Sequence, residues 1–147
     1  DGSSEEQARA SAAQSFDDIN AFIDQVLAAE ELPAERLALV GFSQGTMMAL
    51  AVAPQRSPEI AGVVGFSGRL IEPDAEIGAK TRPPVLLIHG DQDPVVPFDS
   101  MAIAGEALQK AGFTVYGHVM KGTGHGISPD GLSVALGFLK ERLSAKP

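Results

Sequence analysis

Hydrophobic and polar positions along the chain fall into two kinds of pattern. Over residues 3 to 31, Phe16, Ile19, Ile23, Val26 and Leu27 recur at helical spacing, and Ala8 and Ala12 extend the same side. Glu5, Glu6, Asp17, Asp18 and Asp24 load the opposite side, so the spacing predicts one long amphipathic helix. Ser3 and Glu6 have the spacing of a capping box, and Leu32-Pro33 closes the helix. Three short, nearly continuous apolar runs come next: Leu37 to Val40, Ile60 to Phe66 and Val85 to Ile88. Such runs are expected of strands buried on both faces, as in a parallel sheet.

The remaining stretches fit around those strands. Thr46 to about Val52 predicts a helix stopped by Pro54, with Met47 and Met48 packing in the core. Residues 72 to 83, broken by Pro73, Gly78 and Pro83, predict a loop with at most one helical turn. Asp99 is placed to cap a helix that buries Ile103, Ala104, Ala107, Leu108 and Ala111 and stops at Gly112. Phe113 to Met120 predicts a fourth strand, nearer a sheet edge. Ser128 and Pro129 open a final helix that buries Leu132, Ala135, Leu136, Leu139 and Leu143. Strands alternating with helices give an α/β fold class, a mostly parallel sheet flanked by helices and joined by right-handed crossovers. Residues 1–147 are expected to form a single domain.

Composition narrows the function classes. A net charge of −8 argues against nucleic acid and against anionic membrane surfaces as main partners. No apolar run is long enough to span a bilayer. No signal peptide is visible at Asp1-Gly2-Ser3-Ser4-Glu5, so a cytoplasmic location is expected. The absence of cysteine removes disulfides, thiolate zinc sites and cysteine catalysis. The three histidines stand in unlike contexts without metal-ligand spacing, and no metal site is expected.

The candidate chemistry begins at Gly41-Phe42-Ser43-Gln44-Gly45. With 16 glycines in the chain, a Gly-x-Ser-x-Gly pattern arises by chance about 0.13 times, so the flanking context matters more than the pattern. Here an apolar strand runs in and a helix runs out. That arrangement resembles the nucleophile elbow of α/β-hydrolases, with Ser43 at the apex in a strained, positive-φ backbone. Gly41 and Gly45 meet the need for small neighbours. An N-capping serine in a Gly-bounded turn is the plainer alternative. In Gly65-Phe66-Ser67-Gly68-Arg69 the second glycine is out of phase, and Ser67 reads as a strand-end or loop residue.

Ligands gather at the carboxyl ends of parallel strands, and two further polar groups fall there. Asp91 and Asp93 follow the third strand, in His89-Gly90-Asp91-Gln92-Asp93-Pro94-Val95-Val96-Pro97, and His125 follows the fourth, in Gly124-His125-Gly126. The chain order Ser, Asp, His is the α/β-hydrolase order. Proton chemistry then assigns the expected roles. Ser43 attacks an acyl carbon, His125 takes its proton, and Asp93 orients the imidazole. The backbone N–H of Gln44 is the expected oxyanion donor. Asp91 is the rival acid, expected instead to organise its loop. His89 reads as structural, and His118 as exposed or satisfied within the core.

Together these three segments resemble the phospholipase/carboxylesterase family of α/β-hydrolases, which includes acyl-protein thioesterases. The Gly-Asp-x-Asp-Pro-Val-Val-Pro segment selects Asp93 as the acid. The resemblance implies a serine carboxylesterase acting without cofactor on short- or medium-chain acyl esters, thioesters or lysophospholipids. It covers the C-terminal two-thirds of the family fold. The N-terminal part, with the His-Gly loop that carries a second oxyanion donor, has no counterpart here. Leu37 to Val40 is therefore expected to form an exposed edge. That edge is open to a homodimer or to a missing N-terminal segment. The competing expectation is an impaired hydrolase-like module that binds or assembles.

Overall fold

The computed structural model describes residues 2–144. Asp1, residues 145–147 and the side chains of residues 2–6, 8, 9, 11 and 12 lie outside the described residues. The expected Ser3–Glu6 capping pair and the contributions of Ala8 and Ala12 fall there. Eight principal elements succeed one another: α1 (Gly2–Glu30), β1 (Ala38–Phe42), α2 (Gln44–Val52), β2 (Gly62–Phe66), β3 (Val85–Gly90), α3 (Asp99–Lys110), β4 (Val115–Met120) and α4 (Pro129–Ser144). The strands form one sheet in the order β1-β2-β3-β4, and every neighbouring pair is parallel.

Every position of β2 and β3 is buried, which explains their unbroken apolar sequences. Successive residues serve opposite faces. Val63, Val85 and Leu87 pack with Leu50, Ala104, Leu108 and Phe113 on the face covered by α2 and α3. Val64, Phe66, Leu86 and Ile88 pack with Met120, Ala135 and Phe138 under α4. The β2-to-β3 connection crosses without a helix, as the proline and glycine content predicts. Its backbone is tied to the turn after α2: Lys80 N–H and Thr81 N–H donate to Pro54 O at 2.8 and 3.1 Å. Arg56 holds α1 in place by donating to Asn20 Oδ1 at 2.8 Å and Asp24 Oδ1 at 2.7 Å.

Several packing expectations need correction. Ile103, Leu132 and Leu136 are 50%, 49% and 57% exposed, whereas helical spacing places all three in the core. In α4 the buried face runs through Gly131, Ala135 and Phe138 instead. The cause is a close approach, since a Cβ on Gly131 would lie 2.5 Å from Met120 Sδ. That contact sets the helix rotation, and the larger leucines turn outward. Asp99 does not cap α3; Phe98 occupies the cap position without a side-chain bond, and Asp99 lies inside the first turn.

β1 stands at one edge of the sheet. Val40 and Phe42 pair in register with Val64 and Phe66, which places them on the α4 face, yet they are 56% and 39% exposed. Among the described residues no helix is long and apolar enough to cross a membrane.

Candidate active site

The passage from β1 to α2 is a single residue, Ser43, with φ 57° and ψ −115°. A non-glycine residue held there stores strain of about 1–3 kcal/mol. The surrounding bonds impose it. Ser43 N–H continues the parallel ladder by donating to Phe66 O at 2.8 Å, while Ser43 O accepts the first turn of α2 from Thr46 N–H at 3.0 Å and Met47 N–H at 3.3 Å. Buried Thr46 braces the corner by donating its Oγ1 hydrogen to the same Phe66 O at 2.8 Å. The two flanking glycines are not equivalent. A Cβ on Gly41 would lie 2.5 Å from the backbone of Gly45 and Thr46, whereas one on Gly45 would meet nothing within 4 Å. The expected demand for a small residue therefore holds at Gly41 and fails at Gly45. Met48 packs in the core, while Met47 is half-buried.

Opposite this corner stand the loops after β3 and β4. Asp93 Oδ1 accepts the N–H groups of Val95 at 2.8 Å and Val96 at 2.9 Å, and Oδ2 accepts His125 Nδ1–H at 2.8 Å. An ionised carboxylate only accepts, so the proton on His125 resides at Nδ1 and Nε2 presents its lone pair. Ser43 Oγ lies 3.0 Å from that Nε2, in position to donate. Burial works to raise the Asp93 pKa. The hydrogen bond from His125 and those from Val96 and Val95 outweigh it, so the carboxyl sits below its ordinary value. The His125 ring also lies against Phe42, with centroids 4.9 Å apart. Ser43, Asp93 and His125 are thus brought into one hydrogen-bonded chain across the carboxyl ends of the strands.

Gln44 opens α2, so its N–H is one of the helix donors without an intrahelical acceptor, at the positive end of the helix dipole. Asp91 does not touch His125; its Oδ1 accepts Gly122 N–H at 2.8 Å. His89 is buried and donates from Nε2 to Val96 O at 2.9 Å, with Asp93 Oδ2 3.4 Å away. Its place at the end of a buried strand marks His89 as structural but does not reveal the contact with Asp93, which the i,i+4 spacing allows. His118 Nε2 lies 2.7 Å from Asp130 Oδ2 in the first turn of α4, on the sheet face that this helix covers and away from this cluster. Ser67 directly follows β2 and is wholly buried. No cluster of three or more metal-ligating side chains occurs among the described residues.

Two larger hollows lie beside the site rather than in it. One, of about 420 Å³, runs between α3 and β4, and another, of about 510 Å³, opens between α1, β1 and α2 and is lined by Gln44 and Gly45. Ser43, Asp93 and His125 line neither.

The sequence model of the family described as Phospholipase/Carboxylesterase matches residues 1–143. The chain belongs to the phospholipase/carboxylesterase family. Its relatives in this family include acyl-protein thioesterase 1 of Gibberella zeae, 30% identical over 118 residues, a match covering 76% of this chain and 50% of that protein. Esterase YpfH of Escherichia coli is 34% identical over 108 residues, covering 73% of this chain and 45% of that protein. Among solved structures, esterase PE8 superposes with a TM-score of 0.85 at 38% identity, over 90% of this chain and 62% of that one. The chain therefore spans about half the length of these two curated relatives, and the superposition shows that esterase PE8 shares the α/β fold described above.

Proposed function

We propose that this chain carries the acyl-transfer machinery of a serine carboxylesterase, acting on short- or medium-chain acyl esters, thioesters or lysophospholipids. The observation that carries the reading is the continuous path from Ser43 Oγ through His125 to Asp93, at 3.0 and 2.8 Å.

The steps follow from that path. His125 Nε2 takes the Ser43 proton as Oγ bonds to the acyl carbon, and the carbonyl π electrons move onto oxygen. The Gln44 N–H donates to that oxyanion, aided by the α2 N-terminus. Collapse of the tetrahedral intermediate breaks the ester C–O or thioester C–S bond, and imidazolium returns the proton to the leaving alcohol or thiol. Water then repeats the sequence on the acyl-enzyme and releases a carboxylic acid. Asp93 holds the required tautomer and stabilises the imidazolium, from a carboxyl kept ionised by the donors of Val95, Val96 and His125. With Gln44 as the one assigned donor, turnover is expected roughly 10²–10³-fold below that of a two-donor oxyanion hole.

Hydrolysis of p-nitrophenyl acetate and butyrate by protein of verified mass, beside Ser43→Ala, tests the reading. Turnover lost in the variant supports it; equal turnover in both overturns it.

A second reading, a module that binds or assembles without turnover, is favoured by the uncovered β1 edge. Its partner would be a second copy paired through the Leu37–Val40 edge, or a segment of a longer parent chain. Size-exclusion chromatography with light scattering separates a dimer from a monomer, and Ser43-dependent turnover would remove this reading.

A further inference from the structure

The loop after β3 carries two carboxylates, and the geometry points to a division of labour between them. We propose that Asp91 is a positioning residue that holds the His125 loop, while Asp93 holds the His125 ring. The inference rests on the reading of His125 as the base and adds a residue to it.

The loop from Lys121 to Gly126 contains Gly122, Gly124 and Gly126. A segment so rich in glycine has broad backbone freedom, and left alone it would not present a ring in one place. At Gly122 the backbone turns through φ 69°, and that residue's N–H donates to Asp91 Oδ1 at 2.8 Å. Around this bond the two loops are docked backbone to backbone. Gln92 N–H donates to Thr123 O at 3.0 Å and Asp91 N–H to Met120 O at 3.3 Å. A Cβ on Gly90 would sit 2.2 Å from Thr123 O and 2.4 Å from Gly124 O. Glycine at 90 thus permits the approach, and the Asp91 carboxylate closes it at the one turn in the loop with positive φ.

His125 must satisfy two acceptor–donor distances at once, 2.8 Å to Asp93 and 3.0 Å to Ser43. One rigid imidazole cannot keep both if its backbone shifts by an ångström. Displacements of that size cost about 10²-fold in rate. The Asp91 bond itself is solvent-exposed, so its loss should register in rate rather than in folding. Hydrogen-bond acceptance is the feature that matters, and Asn supplies an acceptor oxygen without the charge.

The test compares wild type, Asp91→Asn, Asp91→Ala and Ser43→Ala. Its readouts are kcat and KM on p-nitrophenyl butyrate, thermal melting, and the His125 Nδ1 proton by ¹H NMR. Asp91→Ala is expected to lower kcat about 10- to 100-fold with KM and melting temperature unchanged, and to broaden or lose the Nδ1 proton. Asp91→Asn is expected to restore both rate and resonance. If Asp91→Asn is as impaired as Asp91→Ala, charge rather than the hydrogen bond is at work and the proposal fails. It fails equally if Asp91→Ala keeps the wild-type rate and resonance while Ser43→Ala is dead, in which case the triad reading survives alone. Activity that persists in Ser43→Ala removes the triad reading and the proposal with it. The imidazole proton is visible without turnover, so it decides the matter at any level of activity.

Discussion

Two serines end neighbouring strands in nearly the same way. Ser43 and Ser67 each follow Gly-Phe, each adopts a positive φ (57° and 53°), and each donates its N–H across the sheet at 2.8 Å, to Phe66 O and Ile88 O. Their side chains meet different fates. Ser43 Oγ reaches His125, while Ser67 Oγ is buried with no hydrogen-bond partner among the described residues. The difference lies in the path of the chain beyond each serine. After Ser43 the chain turns at once into α2 and leaves the hydroxyl at the surface. After Ser67 it presses against that same corner: a Cβ on Gly68 would lie 2.5 Å from Thr46 Cβ and 3.0 Å from Ser43 O. Backbone strain at a strand end is thus common to both positions. A nucleophile needs, besides the strain, an open apex and a base.

Removing each hydroxyl in turn separates the two serines most sharply. Ser43→Ala should reduce p-nitrophenyl butyrate turnover to background, by as much as about 10⁶-fold, whereas Ser67→Ala should stay near wild type. Next in size is Asp93→Asn, which leaves Ser43 strained and open but presents the wrong imidazole tautomer; kcat should fall about 10⁴-fold in steady-state assays. A structural pair comes third. Gly41→Ala forces backbone apart at the corner and should cost at least about 2 kcal/mol in denaturant unfolding. Gly45→Ala enters open space in a helix and should be neutral or stabilising by about 0.5–1 kcal/mol.

Acid gives a smaller effect. The folded-state pKa of Asp93 lies below the ordinary 3.8, so its contribution to stability is complete above that value. The contribution is lost as the pH falls through the lower, folded value. Thermal melts should therefore decline on acidification below about 3.8 more steeply in wild type than in Asp93→Asn. Smallest is the effect of Ser67→Ala on stability. Removing an unpartnered buried hydroxyl should change the unfolding free energy by no more than about 1 kcal/mol, in the stabilising direction.

The parts of the molecule legible in the sequence are those with a local cause. The unbroken apolar runs of β2 and β3 reflect burial on both faces, and Ser43, Asp91, Asp93 and His125 all stand at strand ends because parallel strands end there together. Periodicity gives the spacing of a helix face but not its phase. In α4 the phase is set by Gly131 seated on Met120, a contact eleven residues apart in the chain, so spacing alone puts Leu132 and Leu136 on the wrong side. Asp99 misleads for a similar reason: a residue type that caps well does so only where the chain starts its turn, and here that residue is Phe98. The bridge from Asp91 to Gly122 links two loops whose docking depends on the whole sheet, and no spacing rule announces it.

Whether Ser43 is the nucleophile of this chain is read most directly by mass-spectrometric mapping of a fluorophosphonate adduct. A single adduct on Ser43 is expected, lost in His125→Ala and unchanged in Ser67→Ala. A folded protein that leaves Ser43 unlabelled, or carries the adduct on Ser67, would contradict the assignment.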